Sequence, residues 1–358
     1  MTQFLGMLAA IAMTALCWGV YGPVIHEGQT LMESRLRPFM CVGAAYFLIA
    51  VIVPALLLAR GGEKGSWTVT GLLWSLLAGA CGALGALGVI LALAAGGKPI
   101  YVMPLVFGGA PVVNTLLSAF LNRSFAQLKA PFLAGLLLVI TGAVTVLIFK
   151  PEPPAHEAPA ATAKGVEAAA GATTPAADEP LPTDTAAGKA AKVIEKRTER
   201  FVEVLLAVAM TILCWGAYGP VLHKGQMAMQ GSRLRPLLCI GLAYFLIAVL
   251  VPLGLLGPLG DSGNWNFSGV IWGIAGGTLG ALGALGTILA FNLGGKPFTV
   301  MPVVFGCAPV INTLTSSLLQ GMSLANLSPF FLAGMLIVGV GAATVLAFGP
   351  RGHATKPA

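Results

Sequence analysis

The chain has 358 residues, 57% of them hydrophobic and only 9% charged, with a mean hydropathy of +0.88 and a formal net charge of +7. A soluble domain carries about 25% charged residues, so this balance excludes a water-soluble globular fold and makes lipid the solvent. The basic excess does not point to nucleic acid, because Lys and Arg are scattered between hydrophobic segments and form no stripe; it anchors and orients a membrane chain.

Stretches of about 20 apolar residues cross the hydrocarbon core as helices. The first lies near residues 4–25. No Lys or Arg precedes it and no cleavage pattern follows it, so it reads as a retained helix rather than a signal peptide. It ends in Cys17-Trp-Gly-Val-Tyr-Gly-Pro-Val-Ile-His26. Proline removes a helix hydrogen bond, and a helix broken at membrane depth is tolerated where it lines a cavity. Trp18 and Tyr21 therefore read either as a binding wall or as an interfacial aromatic belt. His26 is either an interfacial residue or a titratable group for proton coupling.

The second span, near 38–59, follows Ser34-Arg-Leu-Arg-Pro38, whose arginines read as interfacial anchors. The third, near 69–95, carries Gly82, Gly85 and Gly88, a small-residue stripe that lets helix backbones approach closely in lipid. Gly96-Gly-Lys-Pro99 then forces a tight hairpin into the fourth span, near 100–121. Lys98 stands at that helix N-terminus, where a cation opposes the macrodipole. It reads as a gating or anion-attracting group, or as a snorkelling side chain. Asn114 and Thr115, just after Pro111, need polar partners in lipid: another helix, a freed carbonyl or a substrate. A fifth span lies near 131–149. Residues 151 to about 190 are rich in Ala, Pro, Glu and Thr and cannot support a core, so they read as a flexible, removable linker.

The hydrophobic spans and their motifs then recur, at an offset near 198 residues, as from Gly82 to Gly280. Cys214-Trp-Gly-Ala-Tyr-Gly-Pro-Val-Leu-His223 repeats the first motif, with Trp215, Tyr218 and His223 in the same places. Ser232-Arg-Leu-Arg-Pro236, the stripe Gly280, Gly283 and Gly286, Lys296, and Pro309 with Asn312 and Thr313 follow in order. Spans fall near 201–222, 236–257, 267–293, 298–319 and 329–348. The organisation is 1–150 first repeat, 151–200 linker with a basic end, 201–350 second repeat and 351–358 tail. An odd number of spans per copy requires the copies to face opposite ways, the architecture of many secondary transporters. The expected fold class is all-α integral membrane: ten transmembrane helices as two inverted five-helix repeats.

The six cysteines sit in apolar segments without metal-ligand spacing and read as packing residues. Neither a cofactor nor a metal is expected. Arg60, Lys64, Arg123 and Lys129 have no basic counterparts in the duplicate loops. By the positive-inside rule both termini are placed in the cytoplasm, with the chain a multi-pass protein of the plasma membrane.

These residues resemble the drug/metabolite transporter superfamily, specifically its EamA-like ten-helix members. The likeness rests on the five-plus-five organisation, on Pro111 and Pro309 at the family's mid-helix proline, and on Gly135 with Gly142 and Gly334 with Gly341 in the last span of each copy. The family often has a Glu about eleven residues after the proline; Asn122 and Gln320 stand there here. The resemblance implies a transporter whose fourth spans line the cavity, which would bring Asn114 and Asn312 together across the two-fold with Trp18, Tyr21, Trp215 and Tyr218. The expected function is secondary transport of a small polar metabolite by alternating access. The rivals are a membrane enzyme acting on lipid-linked substrates, for which no acidic pair, metal cluster or activated nucleophile is present, and a non-transporting scaffold or sensor. The expected partners are a small-molecule substrate and the bilayer.

Overall fold

The computed structural model describes residues 2–61, 63–97, 99–149, 186–319 and 327–349. Among these the chain is helical and contains no strand. The helices in chain order are α1 (Thr2–Met32), α2 (Leu36–Ala59), α3 (Val69–Ala94), α4 (Pro99–Leu121), α5 (Ala130–Ile148), α6 (Ala186–Ala228), α7 (Leu234–Leu255), α8 (Phe267–Asn292), α9 (Pro297–Leu319) and α10 (Pro329–Phe348). Among the described residues nine are long and apolar enough to cross a membrane, and Leu105–Leu121 of α4 is a shorter apolar stretch. Outward faces carry bare leucines, such as Leu137 at 64%, Leu206 at 66% and Leu336 at 72% exposure. Such faces need lipid, and the chain is a multi-pass membrane protein.

Local chemistry sets the ends. The α3–α4 hairpin begins with Gly96 at φ 97°, its N–H bonded to the Leu93 carbonyl and the Gly97 N–H to that of Ala92. Gly294 and Gly295 do the same after α8, with Gly294 at φ 91°. This Schellman pattern needs a residue in the left-handed region, which glycine enters without a Cβ penalty. Thr68 and Asn266 cap α3 and α8 by accepting the N–H groups of Gly71 and Gly269.

The expected break at the Gly-Pro pairs does not occur. α1 and α6 run as continuous α-helix through Pro23 and Pro220. α1 continues to Met32, so His26 and Glu27 belong to its last two turns. The irregularity lies one span later. α2 is π-helical over Phe47–Ile52 and α7 over Leu246–Leu250, each followed by a proline at the start of the next α-helical turn. Proline cannot donate to the ladder, and a wider turn there absorbs the mismatch.

Packing exchanges the copies. α1 lies on α8 and α9, and α2 on α8; with the copies swapped, α6 lies on α3 and α4, and α7 on α3. Two four-helix bodies result, α1–α2–α8–α9 and α3–α4–α6–α7, each built from both copies. Glycine allows these approaches. A methyl on Gly79 would overlap the backbone of Ile240, and one on Gly277 that of Val42. α2 and α7 cross between the bodies, with Gly43 against Ala248 and Gly241 against Ala50. α5 packs on α10, with Gly135 against Val345 and Gly142 against Val338. In both pairs low numbers meet high ones, so equivalent helices run antiparallel.

The arginines after α1 and α6 do more than anchor. Arg37 pairs with Asp261, which also accepts from the Ser34 hydroxyl at 2.6 Å. Glu63 accepts from Ser232 Oγ at 2.7 Å and from the backbone N–H groups of Arg233 and Leu234 at 2.6 and 2.9 Å, with Arg235 at 3.4 Å. Glu63 and Asp261 occupy equivalent positions. Each carboxylate clamps the helix start of the opposite copy, where a negative charge suits the helix dipole.

Candidate functional site

The duplicated tryptophans are held by the glycine stripes. Trp18 Nε1 donates to the Gly280 carbonyl and Trp215 Nε1 to that of Gly82, both at 3.2 Å. One turn away Thr14 and Thr211 donate to the carbonyls of Gly283 and Gly85 at 3.2 and 3.1 Å. A methyl on Gly283 or Gly85 would overlap an indole ring. The spacing of the stripe predicts close packing; in the fold it also presents carbonyls that orient the tryptophans.

These indoles border a cavity of about 110 Å³ between the two bodies, lined by Trp18 and Trp215, Tyr21 and Tyr218, Tyr46 and Tyr244, Phe107 and Phe305, and by Gly82, Gly280, Ala86 and Ala308. The aromatic residues come as equivalent pairs. Tyr46 stacks on Tyr244 with centroids 3.9 Å apart. Trp18 meets Tyr218 edge-on at 5.7 Å, and Phe107 meets Phe305 at 6.3 Å. A second cavity of about 440 Å³ shares Trp18, Tyr21, Ala86, Phe107 and Trp215 with the first. It continues past Asn312, Thr313, Ser316 and Ser317 to His26, Glu27, Gln29 and Arg35. The larger volume is within the usual range for a small-molecule site, about 300–1,000 Å³.

The expected site residues divide. Trp18, Tyr21, Trp215, Asn312, Thr313 and His26 line the larger cavity, and Tyr218 the smaller. Asn114 and Thr115 line neither; they are 0% and 2% exposed, and neither side chain has a hydrogen-bond partner among the described residues. The expected meeting of Asn114 with Asn312 in one pocket is therefore absent from these two cavities. Each amide instead abuts the glycine of the other copy's Tyr-Gly-Pro, Asn312 at Gly22 and Asn114 at Gly219. His223 is partly buried, its ring 5.2 Å from Phe291 and its Nδ1 unpartnered among the described residues. Lys296 lies within electrostatic reach of His223 and is not among the residues lining either cavity. Lys98 lies outside the described residues, as do 151–185 of the linker and the tail.

Sequence reasoning missed several lining residues. Tyr46 and Tyr244 belong to the duplicated Ala-Tyr-Phe-Leu-Ile-Ala-Val, and Phe107 and Phe305 to the duplicated fourth span. Recurrence of an aromatic in both copies was the available signal. Glu27 carried another. It is replaced by Lys224 within an otherwise repeated motif, so the two helix ends differ in charge.

No family model matches the chain, and no curated protein matches it. One solved structure, described only as the crystal structure of a protein, is similar to it with a TM-score of 0.59 and 17% identity over 95% of this chain and 96% of its own. At that identity the likeness is one of fold alone, extending over nearly the whole length of both chains.

Proposed function

We propose that the chain is a secondary transporter that moves a small metabolite by alternating access, built from two inverted five-helix repeats with α4 as the tenth span. The observation that carries this reading is a difference between equivalent residues. Gln29, Asn312 and Ser316 line the larger cavity and are partly exposed. Their counterparts Gln226, Asn114 and Ser118 are at most 2% exposed. Asn114, Thr115 and Ser118 have no side-chain partner among the described residues, and Gln226 satisfies only its amide nitrogen, through the Ile288 carbonyl. Leaving a buried polar group unpaired costs about 1–3 kcal/mol. A run of such groups along α4 and the end of α6 is accounted for if those faces open to water in a second state. The second state is then the first with the copies exchanged. The antiparallel pairing of α2 with α7 and of α5 with α10 supports the inversion, because a two-fold axis in the membrane plane reverses helix direction. The two bodies supply the rocking parts, and the resemblance to the drug/metabolite transporter superfamily points the same way. Both termini are assigned to the cytoplasm of a plasma-membrane protein, and the larger cavity then opens to the outside.

The test replaces the native cysteines and introduces Ser316→Cys or Ser118→Cys singly. Under alternating access both thiols react with a membrane-impermeant maleimide, from opposite faces, and a cross-link closing one face abolishes labelling there. A Ser118→Cys thiol that never labels in native membranes, or that labels from the same face as Ser316→Cys, would sink the transporter reading and leave the scaffold.

A further inference from the structure

We propose that the transported molecule carries a single aromatic ring, which docks in the smaller cavity between the bodies while its polar remainder lies along Asn312, Thr313 and Ser316. This inference rests on the transport reading and names the substrate class for the same site.

Three observations carry it. The first is size. About 110 Å³ is of the order of the ~150 Å³ apolar cavity that takes benzene. The second is geometry. Trp18 with Tyr218, and Phe107 with Phe305, meet edge-to-face in the cavity wall, so a ring seated against these pairs finds aromatic edges and faces of the kind that ring quadrupoles favour. The indoles are held by hydrogen bonds to Gly280 and Gly82, so little ordering of the site accompanies binding. The third is the charge pattern. Among the described residues no carboxylate borders the smaller cavity. Glu27 lines the larger one, six residues beyond Tyr21 on α1, about 9 Å away at helical rise. An organic cation in an aromatic cage at membrane depth would lack a counter-charge beside it, which lipid makes costly. A neutral ring has no such need. The five residues shared by the two cavities connect the ring site to the amide and hydroxyls of α9, so the ligand is a ring bearing an uncharged hydrogen-bonding group.

The experiment uses the full chain in phosphatidylcholine nanodiscs, with empty nanodiscs as background, and follows binding by saturation-transfer NMR. The probes are benzamide, cyclohexanecarboxamide and tetramethylammonium. Benzamide is expected to bind about tenfold more tightly than cyclohexanecarboxamide, the yield of one or two ring–ring contacts, and tetramethylammonium not to compete. Phe305→Leu, with an unchanged thermal midpoint, is expected to remove most of that preference. Equal binding of the two amides would mean a merely apolar cavity, and tetramethylammonium displacing benzamide would mean a cation cage; either overturns the proposal. So does the absence of benzamide binding at tens of millimolar. None of these results touches the labelling of Ser118→Cys and Ser316→Cys, so the transport reading stands or falls separately.

Discussion

At the scale of residues, the two carboxylate clamps have the most direct energetic consequence. Glu63 and Asp261 have side chains only 6% and 8% exposed; Glu63 accepts two backbone N–H groups at the start of α7, and Asp261 holds the Ser34 hydroxyl and the Arg37 guanidinium beside the start of α2. Hydrogen bonds to charged groups contribute about 1.5–3 kcal/mol each, and removing one partner strands the other. Asp261→Ala leaves Arg37 and Ser34 without their acceptor, so a loss of about 1–3 kcal/mol is expected, read as a lower midpoint when the detergent-solubilised chain is heated. Glu63→Ala should cost a similar amount, and Glu63→Gln less, since the amide oxygen still accepts from Arg233 and Leu234. If Glu63→Gln is as damaging as Glu63→Ala, charge rather than acceptance of these N–H groups holds the clamp. These partners could not be read from sequence, where the arginines looked like interfacial anchors. The acids lie 172 and 224 residues from Arg235 and Arg37, and only folding brings them together.

At the scale of elements, the glycine stripes and the π-helical turns decide how closely helices approach. Gly85 meets the Trp215 ring and Gly241 meets Ala50. Overpacking such contacts costs about 1–3 kcal/mol. Gly85→Val is expected to push the indole off the Gly82 carbonyl, weakening the α3–α6 contact and the aromatic cavity together. Lower thermal stability with reduced benzamide binding would fit; unchanged binding would show that the indole is not held from this glycine. Gly241→Val acts elsewhere, where α2 and α7 cross between the bodies. It should lower the midpoint and alter labelling of Ser118→Cys, and a normal labelling rate would exclude this crossing as a pivot. Stripe positions were legible from spacing, because small residues repeating at helical intervals have few other uses in lipid. The π-helical turns were not legible. Pro54 and Pro252 mark their ends, yet Pro23 and Pro220 look as disruptive in sequence and leave α1 and α6 unbroken. Whether a proline kinks or widens a helix depends on what fills the neighbouring space.

At the scale of the whole molecule, each body takes two helices from each copy, so neither copy carries a complete body. Residues 1–150 or 186–358 expressed alone should therefore be degraded or aggregate, while the two expressed together should co-purify through a tag on one. Stable accumulation of either half alone would show that the copies fold as independent units. Composition, the duplicated motifs and their offset were enough to indicate a membrane chain, its helices and which residues correspond between copies, because lipid demands long apolar helices and duplication repeats them. Exposure was decided by tertiary structure alone. Asn114 and Asn312, or Gln29 and Gln226, occupy equivalent positions with similar neighbours in sequence and have different surroundings in the fold. Local sequence specifies a helix and the face on which a side chain sits. Which of two equivalent faces meets the cavity depends on how the two bodies lean, a property of packing summed over the whole chain.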